Sequence, residues 1–290
     1  LDYCARLFLN PGDVVVMESP SYLGALNAFN AYQPKFVEVP TDNGGLIPEE
    51  LDKILETTPN CKFIYVIPDF QNPTGRTWSM ERRQKFMEVV NKHNLPVLED
   101  NPYGELRYEG TILPSLKSMD TKGLVMFLGT FSKIFCPGLR LGWIAAEHSL
   151  LSEFVKIKQS ADLHTSNFDQ GVADAYMEQY DLDEHVKEIV ALYKHRRDLI
   201  LESMEKYFPA GTEWTHPEGG LFLWLTFPEG VSARKVFNKC IEMKVAGVIG
   251  DAFYPNQKTD RSMRINYSNM PDDRIVEGIQ RMAKAIKECM

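Results

Sequence analysis

Six short apolar runs, most of them rich in β-branched residues, recur along the first half of the chain. Several are hydrophobic at every position, which is typical of strands in a parallel sheet that is covered on both faces. Stretches with apolar residues at helical spacing separate them. Strands that alternate with helices predict a three-layer, mostly parallel, doubly wound α/β unit. The strands are predicted at residues 13–19, 35–40, 61–68, 95–100, 123–131 and 140–147.

Three helices between or before these strands have recognisable beginnings or ends. The chain opens with apolar residues at helical spacing over residues 1–9, and a Pro-Gly pair follows directly. Pro48 stands in a first-turn position before two acidic residues, which indicates a helix start. Ser79 is a candidate N-cap for a helix over residues 79–93. We expect such helices to cover the two faces of the sheet.

The pattern changes near residue 165. A long amphipathic helix is predicted over residues 183–208, with a solvated cationic run at residues 195–197. Three short strand-like segments and a closing helix follow, which predict a smaller α+β unit with an antiparallel sheet. Trp143, Trp214 and Trp224 are interpreted as core residues. The predicted organisation is a large domain at residues 1–165, a helical connection at residues 166–208 and a small C-terminal domain at residues 209–290.

Composition and charge narrow the class of protein. The chain has 44% hydrophobic and 25% charged residues, as ordinary globular proteins do. Acidic residues outnumber basic ones by 40 to 32, which argues against a nucleic-acid groove within these residues. No apolar run reaches the roughly 18 residues that a bilayer span needs. The five scattered cysteines predict free thiols in the cytoplasm, and the six histidines show no metal-ligand spacing.

Chemically reactive side chains follow three of the predicted strands. Asn72 follows the strand at residues 61–68, Asp100 and Tyr103 end and follow the next one, and Lys133 comes after the strand at residues 123–131. The carboxyl ends of parallel strands meet at one edge of a sheet, where such folds bind ligands. A lysine at this edge loses solvation, which lowers its pKa and makes its amine a nucleophile.

An amine, a carboxylate, hydroxyl groups and an arginine together match the needs of pyridoxal phosphate. The aldehyde of this cofactor needs a lysine for a Schiff base, and its ring nitrogen needs a carboxylate partner. Its ring hydroxyl needs hydrogen-bond donors, and its phosphate needs an arginine with hydroxyl groups nearby. The sequence therefore predicts a pyridoxal-phosphate site at this edge of the sheet.

Longer motifs carry a family resemblance over the whole length of the chain. They are NPGDVVVMESPSY, QNPTGRTWSMERR, LEDNPYGELRY, GTFSKIFCPGLRLGW, GGLFLWL and MRINYS. With them the chain resembles the fold-type I pyridoxal-phosphate-dependent aminotransferases of class I and II. It is most similar to the subgroup that contains 2-aminoadipate, kynurenine and aromatic amino-acid aminotransferases.

The resemblance implies roles around the cofactor ring. Lys133 would be the catalytic residue that forms the Schiff base, and Asp100 would pair with the ring nitrogen. Asn72 and Tyr103 would hold the ring hydroxyl, and Tyr22 would stack on the face of the ring.

The resemblance also implies contacts at the two ends of the ligand. Thr130, Ser132 and Arg140 would hold the phosphate of the cofactor. Arg264, together with Asn72, would bind the substrate α-carboxylate. The chain departs from the broad lysine signature of the family at Thr130, where Gly or Ser is preferred. It departs again at Pro137, which we interpret as a marker of the subgroup.

The implied activity is the transfer of an amino group from an amino acid to a 2-oxo acid, with 2-oxoglutarate as the expected acceptor. The family's glycine- and glutamine-containing phosphate loop and its N-terminal arm would lie upstream of Leu1, so the chain resembles an N-terminally truncated member. A homodimer is implied as well. Two alternatives stay open: the ligand-sensing domain of a pyridoxal-phosphate-dependent transcription regulator, and a lyase that uses the same cofactor. The preferred amino-acid side chain does not follow from these residues.

Overall fold

The computed structural model describes residues 1–256 and 259–290, which form ten α-helices and twelve β-strands. The helices are α1 (Asp2–Phe8), α2 (Leu23–Asn30), α3 (Pro48–Thr57), α4 (Met80–His93), α5 (Leu116–Met119), α6 (His148–Ala161), α7 (Asn167–Gln179), α8 (Leu182–Tyr207), α9 (Ala233–Glu242) and α10 (Asp272–Cys289). The strands are β1 (Val14–Glu18), β2 (Lys35–Val39), β3 (Thr41–Asp42), β4 (Gly45–Leu46), β5 (Cys61–Val66), β6 (Val97–Asp100), β7 (Val125–Thr130), β8 (Gly142–Ala145), β9 (Glu213–Trp214), β10 (Phe222–Thr226), β11 (Val248–Ile249) and β12 (Ser262–Asn266).

The larger sheet has the strand order β2-β1-β5-β6-β7-β8 within the described part of the chain. Its neighbouring strands pair in parallel except β7 and β8, which pair antiparallel at one edge. Each of these strands lies inside one of the six predicted runs. The mostly parallel α/β fold predicted from the sequence is therefore confirmed.

Helices cover both faces of this sheet because its side chains alternate between two hydrophobic clusters. Val16 and Ile64 pack with α3 and α4 on one face. Met17 and Tyr65 pack with α1, α2 and α6 on the other face. Both predicted helix starts hold: Pro48 is in the first turn of α3, and the Ser79 side chain caps α4. The result is three layers, as predicted.

A second, antiparallel sheet follows α8, with the strand order β11-β12-β10-β9 among the described residues. Its core contains Leu223 and Leu225 of β10, packed against α8, α9 and α10. This sheet and its helices form the smaller α+β part of the predicted fold. Among the described helices, none is both long and apolar enough to cross a membrane.

Arg197 contradicts the prediction of a solvated cationic run on α8. Its side chain is only 3% exposed, and Nη1 donates to the carbonyl oxygen of Pro217 at 2.7 Å. Glu109 and Asp198 neutralise its charge. The spacing explains this position, because Arg197 lies four residues after Tyr193 on the inward-facing stripe of the helix.

Trp143 contradicts the prediction of a core residue, since 48% of it is exposed. It lies on the edge strand β8, where it stacks on Phe127 of β7 with ring centroids 5.2 Å apart. Its ring also lies across Gly129, where any Cβ would collide with it. Trp224 is buried as predicted, and Trp214 is half-buried.

Candidate active site

Lys133 lies three residues after the end of β7, in a turn closed by the hydrogen bond from Phe135 N to Phe131 O at 2.9 Å. Its side chain is half-buried. This burial lowers the pKa of the amine, and the cationic groups of Arg140 and Arg264 lower it further. A larger fraction of the Lys133 amine is therefore neutral at a given pH than for a lysine in water. A neutral amine can act as a nucleophile and as a base.

Asp100 ends β6, the strand next to β7, and is buried. Burial raises the pKa of its carboxyl group, because the charged form loses its solvent. The hydroxyl group of Tyr65 on β5 opposes this effect by donating to Asp100 Oδ2 at 2.8 Å. Tyr65 was not among the predicted site residues. The arrangement is a buried acid with a hydrogen bond that favours its ionised form.

Asn72 joins two further predicted residues, and it is itself buried. Its Nδ2 donates to the hydroxyl oxygen of Tyr103 at 3.4 Å, and its Oδ1 accepts from Arg264 Nη1 at 2.8 Å. Burial raises the pKa of Tyr103, which keeps this phenol protonated. The side-chain amide of Asn72, in the turn after β5, therefore contacts both the segment after β6 and strand β12.

Gln71 holds the turn that presents Asn72, and it was also missed by the sequence analysis. Its Nε2 donates to the carbonyl oxygen of Pro20 at 2.8 Å. Its Oε1 accepts from Thr74 N at 2.9 Å and from Thr74 Oγ1 at 2.7 Å. Because Pro20 lies two residues before Tyr22, Gln71 ties the Asn72 turn to the segment that carries Tyr22.

Arg264 lies between two aromatic rings. Its Cζ is 4.1 Å from the ring centroid of Phe222 and 5.0 Å from that of Phe253. Burial lowers the pKa of this guanidinium group. Asp251 pairs with Arg234 at 2.6 Å. Arg264 thus offers a partly desolvated cation whose side-chain partner is a neutral amide, as a carboxylate-binding site requires.

The three residues predicted to bind phosphate lie around the turn that follows β7. Arg140 is exposed, with a left-handed backbone at φ 55°, and its Nη1 lies 3.5 Å from Ser132 Oγ and 2.9 Å from the carbonyl oxygen of Pro137. Thr130 Oγ1 donates to Leu141 O at 3.1 Å and accepts from Ser132 N at 3.1 Å. The Thr130 hydroxyl group therefore closes the β7–β8 connection, and its contact with a phosphate stays a prediction.

Tyr22 approaches the same region from the segment before α2. It is half-buried, and its ring folds back over Gly24, where a Cβ would collide with it. Burial and then the negative charge of Asp100 raise the pKa of Tyr22, whereas Arg264 and Arg140 lower it. Tyr22 therefore lies close enough to Asp100, Arg264 and Arg140 to be affected by their charges.

This donor set fits pyridoxal phosphate. Lys133 would supply the amine for the aldehyde, and Asp100 would supply a buried carboxylate for the ring nitrogen. Asn72 and Tyr103 would supply polar groups for the ring hydroxyl, and Arg140 would supply a cation for the phosphate. Fold and site together define a pyridoxal-phosphate-dependent enzyme of the doubly wound α/β class.

Comparison with known families identifies the class more closely. The family model for aminotransferase class I and II matches residues 1–282, and the chain belongs to this family. Its cofactor is pyridoxal phosphate, and its activity is that of an aminotransferase, as predicted.

Several proteins named as aminotransferases align with nearly the whole length of this chain. Aromatic-amino-acid aminotransferase 1 of Thermococcus litoralis is 44% identical, and the match covers 100% of this chain and 70% of that relative. The 2-aminoadipate transaminase of Thermus thermophilus is 33% identical, with 99% of this chain and 72% of the relative covered. The crystal structure of Pyrococcus horikoshii kynurenine aminotransferase in complex with PMP has a TM-score of 0.96 at 43% identity. That match covers 99% of this chain and 72% of that chain.

Proposed function

We propose that Lys133 is the catalytic residue of this aminotransferase and that 2-oxoglutarate accepts the amino group. One observation carries the assignment: a half-buried lysine with a lowered pKa follows β7, and the buried carboxylate of Asp100 ends the neighbouring strand β6. When bound, pyridoxal phosphate supplies a ring that takes up the electron pair left at the substrate α-carbon.

Lys133 has two tasks in this proposal. Its amine holds the cofactor covalently before substrate arrives. Once it is released, Nζ takes the proton from the α-carbon of the amino donor as a general base. Nζ would pass this proton to the former aldehyde carbon of the cofactor, and in the second half-reaction it would move a proton in the opposite direction, to the α-carbon of the new amino acid. The lowered pKa of Lys133 suits both tasks, since a larger fraction of the amine is neutral at a given pH than for a lysine in water.

The other side chains position the ligands. Asp100 pairs with the ring nitrogen, and Asn72 and Tyr103 bind the ring hydroxyl. Tyr22 covers the ring face with its apolar surface.

Ionic contacts hold the cofactor phosphate at one end of the site and the substrate α-carboxylate at the other. Arg140 and Ser132, with Thr130 beside them, hold the phosphate. Arg264 binds the substrate α-carboxylate with two parallel N–H donors, next to the Asn72 amide. The 2.8 Å bond between these two side chains supports a shared site for cofactor and substrate.

Double-displacement kinetics test the activity. We expect the protein with pyridoxal phosphate to convert glutamate to 2-oxoglutarate in a single half-reaction, and parallel lines in double-reciprocal plots of the full reaction. Loss of the cofactor's visible absorbance on adding glutamate alone, restored by 2-oxoglutarate, measures each half. A ligand sensor would bind glutamate without this cycle, and a lyase would release ammonia or carbon dioxide, so either result would overturn the proposal. A panel of amino donors in the same assay identifies the preferred side chain.

The variant Arg264→Lys tests carboxylate binding. We expect KM to rise about 10- to 100-fold for amino acid and 2-oxo acid alike, because an ammonium group cannot make the two parallel bonds of a guanidinium group. Steady-state kinetics with each substrate varied in turn measure this. Arg234→Lys, an exposed arginine paired with Asp251, is the matched control and should leave both KM values unchanged. A rise for only one substrate would mean that Arg264 recognises a side chain instead.

We also propose that the protein is a cytoplasmic homodimer acting in amino-acid metabolism, with domains at residues 1–165 and 209–290 joined by residues 166–208. Exposed apolar side chains on β8 and the helices after it support an interface: Trp143, Phe168, Met177 and Tyr180. The five cysteines are unpaired in the described structure, in keeping with a reducing compartment. Light scattering after gel filtration measures the subunit number, and a monomeric mass with bound cofactor would contradict the dimer.

A further inference from the structure

Tyr65 places a buried hydroxyl group beside the Asp100 carboxylate. Its ring lies on β5, which pairs in parallel with β6 so that Tyr65 is opposite Leu98. Asp100 follows Leu98 by two residues and therefore points to the same face of the sheet. Such diagonal neighbours lie about 7–8 Å apart at the backbone, a span that an aromatic side chain can bridge. The Tyr65 hydroxyl reaches Asp100 Oδ2 at 2.8 Å.

Packing determines where this hydroxyl group lies. Tyr65 is fully buried, and its ring meets Phe29 of α2 edge-on with centroids 5.4 Å apart. Met17 of β1 is opposite it on the other side. The ring is thus held by three elements, and its hydroxyl has little freedom to leave Asp100. Among the described residues, only Tyr65 donates a hydrogen bond to the Asp100 carboxylate, and it does so at Oδ2. Oδ1 therefore remains available for a ligand.

We propose that Tyr65 is a positioning residue for transamination: it holds the Asp100 carboxylate ionised and turns Oδ1 toward the ring nitrogen of the cofactor. The proposal rests on the role proposed for Asp100. A phenol O–H donor stabilises a carboxylate more than a carboxylic acid, so the bond opposes the effect of burial on Asp100. Without it, a buried acid would take up a proton at higher pH and would lose its charge-based pairing with the ring nitrogen.

The titratable groups that surround Asp100 are phenols and a thiol, and none of them is a carboxylic acid. They are Tyr65 on β5, Tyr22 before α2, Tyr103 after β6 and Cys4 on α1. Burial raises the pKa of the three phenols and raises that of the Cys4 thiol to about 11, so these four stay neutral near neutral pH. The only carboxyl group in the set is Asp100 itself, so a shift of the acid limb of the pH profile reports on Asp100.

The variant Tyr65→Phe removes this one hydroxyl group and keeps the ring. We expect the acid limb of the kcat/KM profile to move about one to two pH units higher, the effect of losing a hydrogen bond to a charged group. In the protein without cofactor, carbon-13 NMR of labelled aspartate, assigned with Asp100→Asn, should show Asp100 titrating higher by the same amount. Tyr267→Phe is the matched control, because Tyr267 is equally buried and donates to Gly219 O at 3.0 Å.

Two further measurements make the test decisive. In the Asp100→Asn background, Tyr65→Phe should have no additional effect on kcat, because Tyr65 acts through Asp100. A fluorinated tyrosine at position 65 is a stronger donor and should move the acid limb to lower pH, which tests the proposal even if Tyr65→Phe does not fold. An unchanged Asp100 titration in both position-65 variants, or equal shifts in Tyr65→Phe and Tyr267→Phe, would overturn the proposal.

Discussion

Lys133→Ala should reduce transamination at least about 10⁴-fold, because the variant lacks the amine proposed to take the proton from the substrate α-carbon. The covalent link to the cofactor is lost as well, so the visible absorbance of the lysine-bound cofactor should disappear. Borohydride treatment followed by mass spectrometry of the peptides should label position 133 in the parent protein and no position in the variant.

A matched control separates the proposed role from a general effect of removing a lysine. Lys156 is exposed on α6 and pairs with Glu153 at 2.6 Å, so Lys156→Ala should keep full activity. Added methylamine should restore part of the rate of Lys133→Ala, because a free amine can enter the space of the deleted side chain. Cofactor that still becomes fixed by borohydride in Lys133→Ala would show that another lysine is the attachment site.

Asp100→Asn should still bind pyridoxal phosphate but lose about 10²- to 10³-fold in kcat. A neutral amide cannot hold the ring nitrogen protonated, and a preorganised charge is the largest contribution of such a site. The acid limb of the pH profile should also disappear. If activity requires ionised Asp100, as proposed, the activity of the parent protein should fall as the pH drops through the Asp100 pKa, which burial raises.

Glu99→Gln is the control for this second variant. Glu99 precedes Asp100 on β6 but points to the other face, where it accepts from Leu116 N and Lys117 N, each at 2.8 Å. Its loss should lower the melting temperature while kcat of the folded protein is kept. Near-normal turnover in Asp100→Asn would mean that a different carboxylate serves the ring nitrogen.

The sequence predicted those parts of the site that lie just beyond strand ends. Asp100 and Lys133 stand out there because a polar residue after an apolar run has few structural reasons for its position. Arg264 lies inside a strand, and its role came from the family motif alone. The spacing of Arg197 on the inward stripe of α8 was visible as well, but its charge favoured the opposite interpretation.

Tyr65 was hidden because it lies in the middle of an apolar run, where an aromatic residue is expected to pack. Its contact with Asp100 depends on which strand lies next to β5 and in which register, and neither follows from hydrophobic periodicity. Gln71 was missed for a similar reason. Its partner Pro20 belongs to a segment 51 residues earlier in the chain. Contacts between distant segments can be predicted only from the three-dimensional fold. Polar residues that follow strand ends can be recognised from the hydrophobic pattern of the sequence alone.

The hydrogen bond from Arg264 to Asn72 joins two side chains that are 192 residues apart in the chain. In the roles proposed above, Arg264 binds the substrate carboxylate and Asn72 binds the ring hydroxyl of the cofactor. A ligand that reorients either side chain changes the binding free energy of the other ligand, and this coupling is reciprocal. The factor by which bound cofactor tightens the binding of a carboxylate ligand must therefore equal the factor by which that ligand tightens the binding of the cofactor. Carboxylates that bind at Arg264 but do not react should thus stabilise the holoenzyme.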